Sequence, residues 1–136
     1  MKSQHLFVYG TLRARAETWF ADQLSLTATP VGLGHLRAQL FLVDYYPGVV
    51  DSDDPHHRVL GEVYTLPSGA RGAELLTVLD QYEGYDPDDQ VSSEYVRVIR
   101  PIELSSGETL TAWVYLFNRS TDHLPLIASG DFFERP

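Results

Sequence analysis

Two short stretches carry residue types that could do chemistry together. The apolar run Leu6-Phe7-Val8 breaks abruptly at Tyr9-Gly10-Thr11-Leu12. A strand that ends in a glycine and a small hydroxyl residue leaves several backbone N–H groups free at its tip, and glycine lets a ligand approach them closely. Such a loop suits a carboxylate or another anion. Further along stands Leu79-Asp80-Gln81-Tyr82-Glu83-Gly84-Tyr85. Glu83 falls at the end of a predicted helix, where the macrodipole disfavours negative charge, and Tyr82 and Tyr85 flank it. Desolvation and the dipole both raise a carboxylate pKa toward the range useful to a general base near neutrality. Glu83 is therefore the candidate catalytic group. Tyr9, Gly10, Thr11 and Leu12 are the candidate substrate-binding residues, with Tyr115 able to offer a hydroxyl. An anion cradle plus one carboxylate in an aromatic setting reads as an enzyme acting on a small, acid-bearing molecule.

Other constellations are better explained without chemistry. Asp80 and Glu83 are spaced i, i+3 like a glycosidase carboxylate pair, but acid pairs on solvated helix faces are common, and a true pair needs a set separation across a sugar cleft. His56-His57 with Asp51, Asp53 and Asp54 looks like a metal cluster. Adjacent histidines rarely aim at one ion, and no HxH or HxxxH spacing occurs, so a solvated loop is expected and no metal. Trp113, Tyr115 and Phe117 read as core more than pocket. With no glycine-rich phosphate loop, no Ser/His/Asp signature and no redox motif, no cofactor is expected.

Composition narrows the class. The chain has 136 residues, which suits one domain over 1–136, and 10 Lys+Arg against 19 Asp+Glu give a net charge of -9. Nucleic acid and an anionic membrane surface both demand a basic footprint, so neither is an expected partner. Backbone amides can bind an anionic small molecule whatever the net charge. Cysteine is absent, which rules out disulfides, thiolate catalysis and Cys-based metal sites. No signal-peptide pattern and no apolar stretch of ~20 residues is present, so a cytoplasmic location is expected. Oligomeric state is not readable.

The elements that must position these residues follow from periodicity. His5 to Tyr9 reads as a buried strand. Within Arg13 to Leu26, Trp19, Phe20 and Leu24 would share a short helix face. Thr27 to Val50 is strand-like, punctuated by Gly32, Gly34 and a Pro47-Gly48 turn, and Asp51 to Arg58 is an acidic loop. Arg58 to Leu66 alternates as a strand. Leu75, Leu76, Leu79 and Tyr82 form a helical stripe, with Ser68 as N-cap and Gly84 as the left-handed residue that ends it. Tyr95 to Leu104 and Thr109 to Phe117 are strands joined around Ser105-Ser106-Gly107. The second is apolar on both faces, hence central or barrel-forming. The expected fold is α+β, a compact barrel-like mixed β-sheet with one or two helices.

Several of these motifs occur together in a known family. Tyr9-Gly10-Thr11-Leu12, Tyr46-Pro47-Gly48, Gly61-Glu62-Val63-Tyr64, Leu79 to Tyr85, Tyr95-Val96-Arg97, Trp113-Val114-Tyr115 and Ile127-Ala128-Ser129-Gly130-Asp131-Phe132 stand in the order and spacing of gamma-glutamylcyclotransferase-like proteins. The resemblance spans nearly the whole chain, and the Tyr-Gly-Thr-Leu loop looks closer to the gamma-glutamylamine branch. It implies a barrel-like α+β fold, no cofactor, and conversion of a gamma-glutamyl amine or amide to 5-oxoproline with release of the amine. It also implies that the loop Tyr9 to Leu12 holds the glutamyl end of a small-molecule substrate and that Glu83 is the acid/base. Whether the loop amides bind the carboxylate or the developing oxyanion stays open. A non-catalytic protein that binds a small carboxylate-bearing molecule on the same fold is the alternative.

Overall fold

The structure is a computed structural model that describes residues 4–13, 16 and 18–134. Its elements are β1 (His5–Val8), α1 (Trp19–Thr27), β2 (Thr29–Leu42), β3 (Pro47–Asp51), β4 (Arg58–Thr65), α2 (Ala70–Glu83), β5 (Tyr95–Leu104) and β6 (Thr109–Phe117). The strands run in the order β3-β2-β4-β1-β6-β5, and β2 also pairs with β5. That extra pairing, Gly34 opposite Leu104, closes β2, β4, β1, β6 and β5 into a ring and leaves β3 outside it on β2. All pairings are antiparallel except β1 with β6, where Leu6 lies opposite Trp113, so the barrel is mixed.

Period-two alternation builds two cores from the same strands. Phe7, Leu36, Ala38, Val59, Val63, Ile102, Ala112 and Val114 fill the ring. Leu6, Val8, Tyr64, Tyr115 and Phe117 face outward and meet Leu24 of α1 and Leu75 and Leu79 of α2. β1 and β6 are therefore buried on both faces, as their unbroken apolar runs require. Neither helix among the described residues is long and apolar enough to cross a membrane.

Local chemistry moves three expectations. The turn between β2 and β3 falls at 43–46, where the Val43 and Asp44 N–H groups reach the Tyr46 carbonyl at 3.0 and 3.2 Å, and Pro47 opens β3 instead of turning. A first strand position is one of the few a proline accepts. Helix α2 starts from Gly69, with no side-chain cap, so Ser68 is not its N-cap. Helix α1 buries Ala21 and Leu24 and packs Phe20 against the same core, while Trp19, in its first turn, is 61% exposed and does not share that face. Thr18 caps it, its Oγ1 accepting from the Ala21 N–H at 3.0 Å. Positions 14, 15 and 17, within the segment read as helical, lie outside the described residues.

Candidate active site

The site is built where β1 leaves the sheet. At Tyr9 the chain turns, and the phenol donates to the Tyr115 carbonyl at 2.7 Å, clamping the strand end onto β6. Burial first, and the negative charge of Glu83 second, push this phenol well above the ordinary tyrosine range. The turn closes with the Arg13 N–H on the Gly10 carbonyl at 2.9 Å. Thr11 Oγ1 and the Tyr82 hydroxyl are hydrogen-bonded at 2.6 Å, and the Thr18 hydroxyl donates to the Thr11 carbonyl at 2.7 Å. The loop is thus held at three successive points. Among the described residues none accepts a hydrogen bond from the backbone N–H of Gly10, Thr11 or Leu12. Donors without a protein acceptor in a pocket wall are what an anion cradle requires.

Gly10 has a second reason to be glycine. A Cβ built there would come within 2.5 Å of Cγ and 2.7 Å of Cδ of the Pro47 ring, so loop and β3 touch at a point where no side chain fits.

Helix α2 brings the carboxylate. Its stripe of Leu75 and Leu79 is buried against the barrel, and it ends at Glu83 because Gly84 takes φ 70°, ψ 38° and turns its N–H back to the Asp80 and Gln81 carbonyls. Glu83 therefore sits on the last turn, beside the loop. Between loop, helix end and the 43–46 turn lies a pocket of about 200 Å³, lined by Tyr9, Gly10, Thr11, Leu12, Glu83 and Tyr115 together with Tyr46, Glu94 and Tyr95. No lysine, arginine or histidine lines it among the described residues.

The surface of Glu83 is only partly covered, yet its carboxyl is hemmed in by protein, and the crowding governs its titration. Its pKa is pushed up to about 8, by burial first, then by the negative charges of Glu94 and Asp80. No hydrogen bond or ion pair from the described residues reaches it. Arg97, the cation that could lower it, is committed elsewhere. It forks onto Asp80 at 2.8 and 3.2 Å, and the Tyr115 hydroxyl donates to the same carboxylate at 2.7 Å. Tyr115 thus reaches the pocket wall with its hydroxyl engaged inside the protein. It is not free to meet a ligand as drawn from sequence. Asp80, 7% exposed, belongs to this internal network and forms no solvated pair with Glu83.

The family model described as gamma-glutamyl cyclotransferase, AIG2-like, matches residues 6–134. The chain belongs to this family. The gamma-glutamylcyclotransferase family protein YtfP of Escherichia coli (strain K12) is 30% identical over 132 residues, 96% of either chain. The solution structure of Escherichia coli YtfP superimposes with a TM-score of 0.64 over 96% of this chain and 97% of its own, at 29% identity. A mouse AIG2-like protein shares the fold, with a TM-score of 0.66 over 90% of this chain and 84% of its own, at 21% identity. Bacillus subtilis YkqA does so with a TM-score of 0.69 over 98% of this chain, which spans only 40% of YkqA, at 24% identity. The barrel-like α+β architecture expected from the sequence is the fold of this cyclotransferase family, and membership supports cyclotransferase activity in general terms.

Several residues around the pocket were invisible as site residues. Tyr46 donates to the Glu94 carboxylate, which with burial pushes the phenol up to about 12. Tyr95 donates to the Pro47 carbonyl at 2.6 Å. These contacts span 48 positions, and nothing in local pattern connects the two stretches. The one available signal was an acid placed immediately before an aromatic strand start, Glu94-Tyr95. Conversely, Tyr85, read as a neighbour of the Glu83 carboxyl, lies beneath the Arg97 guanidinium at 5.8 Å and does not line the pocket.

Proposed function

We propose that the protein cyclises a gamma-glutamyl amine or amide to 5-oxoproline and releases the amine, with Glu83 as acid/base and the Tyr9–Leu12 loop holding the glutamyl end. The observation that carries this reading is the meeting, across one small pocket, of a carboxyl with a raised pKa and a loop whose amides have no acceptor among the described residues. In its unprotonated form Glu83 takes a proton from the substrate's α-ammonium group. The freed amine attacks the γ-carbonyl carbon of the same molecule, forming the lactam C–N bond. The bond from that carbon to the leaving nitrogen breaks as Glu83 returns the proton to that nitrogen. Glu83 then takes the second proton from the attacking nitrogen, which leaves a neutral lactam N–H; the released amine carries this last proton away. No water and no co-reactant is consumed. Because attack is intramolecular, holding the glutamyl chain folded supplies much of the rate, with effective molarities around 10⁵ M or more. The pocket volume of about 200 Å³ suits a glutamyl group and little more, so the amine portion extends toward the mouth.

A panel of gamma-glutamyl amines and amides, assayed for 5-oxoproline release with wild type and Glu83→Gln, tests this. Turnover of at least one substrate is expected, reduced roughly 10²-fold or more in the variant, the usual scale for loss of a general base. Binding of 5-oxoproline without any turnover would favour a non-catalytic binding protein instead.

A further inference from the structure

Arg13 follows the substrate loop directly, yet it does not serve the pocket. Its side chain is buried, 6% exposed, and does not line the pocket. There Nε donates to Glu62 Oε2 at 3.1 Å and Nη1 to Asp131 Oδ1 at 2.8 Å, while the guanidinium lies over the Phe133 ring at 4.7 Å. The same residue's backbone N–H closes the loop on the Gly10 carbonyl. One residue thus ties the loop backbone to the C-terminal turn.

That turn is itself rigidly seated. Its Gly130 carbonyl accepts from the Leu60 N–H of β4 at 2.8 Å, and the Ile127 N–H donates to the Leu40 carbonyl of β2 at 2.8 Å. Asp131 is fixed from within: its N–H reaches Ser129 Oγ at 3.2 Å, and its Oδ1 accepts from the Phe133 N–H at 3.0 Å. Asp131 is 7% exposed. A buried carboxylate with its oxygen shared between a guanidinium and a backbone amide is a strong, directional anchor.

We propose that Asp131, acting through Arg13, is a positioning residue for the substrate loop, so that the C-terminal turn, which does not itself line the pocket, sets how well the Tyr9–Leu12 amides receive the glutamyl end. This rests on the cyclotransferase reading for its kinetic arm, but not for its structural arm. Loss of the anchor removes no group that lines the pocket and no charge that raises the Glu83 pKa. It therefore acts on binding and not on proton transfer.

The test uses Asp131→Asn, which keeps size and weakens the charge-assisted bond, and Arg13→Lys, which keeps charge but loses the fork. In the ligand-free protein, the amide NMR resonances of Gly10, Thr11 and Leu12 are expected to shift or broaden in both variants, while those of the Ser105–Glu108 hairpin stay in place. With 5-oxoproline as probe, affinity should fall roughly tenfold, the scale of one charged hydrogen bond. KM should rise in parallel, with kcat and the acidic limb of its pH profile unchanged. Melting temperature is recorded to correct for any unfolded fraction. Unmoved loop resonances in a folded variant overturn the proposal, and so does a fall in kcat with KM constant. If wild type itself neither binds 5-oxoproline nor turns over any gamma-glutamyl compound, the cyclotransferase reading fails, and the loop resonances alone decide on the anchor.

Discussion

Arg97 closes on Asp80, and no cation among the described residues pairs with Glu83. Its Nε and Nη2 reach the two Asp80 oxygens at 2.8 and 3.2 Å, and its guanidinium rests over Trp113 at 4.3 Å. The two acids are three positions apart on one helix, yet their fates differ completely. Asp80 is paired on the buried face, while Glu83, at the helix end, meets only burial and other negative charges.

The acidic limb of kcat/KM should therefore lie near pH 8, far above the ~4.3 of a free glutamate. Burial and the charges of Glu94 and Asp80 all favour the neutral acid, so the base is lost as pH falls through the raised pKa. Glu94→Gln removes one of those charges and should move the limb down. A limb in the ordinary carboxylate range would show that solvent reaches Glu83 freely. The same linkage acts on stability. The folded state keeps a proton between pH 4.5 and about 8 that the unfolded chain has released, so this contribution is complete below 4.5 and is lost as pH rises through 8. A melting series across that window should slope less in Glu83→Gln than in wild type.

Gly10→Ala should lower the melting temperature, because the added Cβ overlaps the Pro47 ring. Combining it with Pro47→Ala separates two roles for the glycine. If 5-oxoproline affinity stays weak in the double variant after stability recovers, the backbone itself receives the ligand. Recovery of both assigns the glycine to its contact with β3.

Arg97→Leu should cost about 3 kcal/mol in urea denaturation, since it leaves the Asp80 carboxylate buried with the Tyr115 hydroxyl as its remaining partner. The side chains of the pair are 16% and 11% exposed. A loss below about 1 kcal/mol would place the pair among solvated surface bridges.

Chelator treatment should leave turnover unchanged. No group of three or more His, Cys, Asp or Glu residues that could hold a metal exists among the described residues, and His56 bonds only its neighbour Asp54, at 3.1 Å. Loss of activity in EDTA with recovery on adding zinc would contradict this.

Residues whose role is set locally were legible, and those whose role is set across the barrel were not. Glu83 at a helix end, Gly84 as its left-handed stop, and the two-faced apolar strand Thr109–Phe117 all follow from spacing alone. The loop Tyr9–Leu12 stands out because strand alternation ends at a glycine. Pro47 misled because Pro-Gly signals a turn, whereas pairing with Leu42 makes it the first residue of β3. Tyr115 misled differently: its place in a strand was readable, but the partner of its hydroxyl, Asp80, lies 35 positions away. Arg13 carried no visible signal, because Glu62 and Asp131 come near it only once the barrel has closed.

The clamp between the Tyr9 hydroxyl and the Tyr115 carbonyl joins residues 106 positions apart, and the Arg13–Asp131 pair spans 118. Such distant partners make loop closure a late and slow event in folding, because chain entropy must be surrendered before any contact rewards it. On the ribosome, the first strand emerges with both of its anchors still unmade. The pocket draws on residues from Phe7 to Tyr115, so until β6 is in place Glu83 and the Tyr9–Leu12 loop have no shared wall to close on.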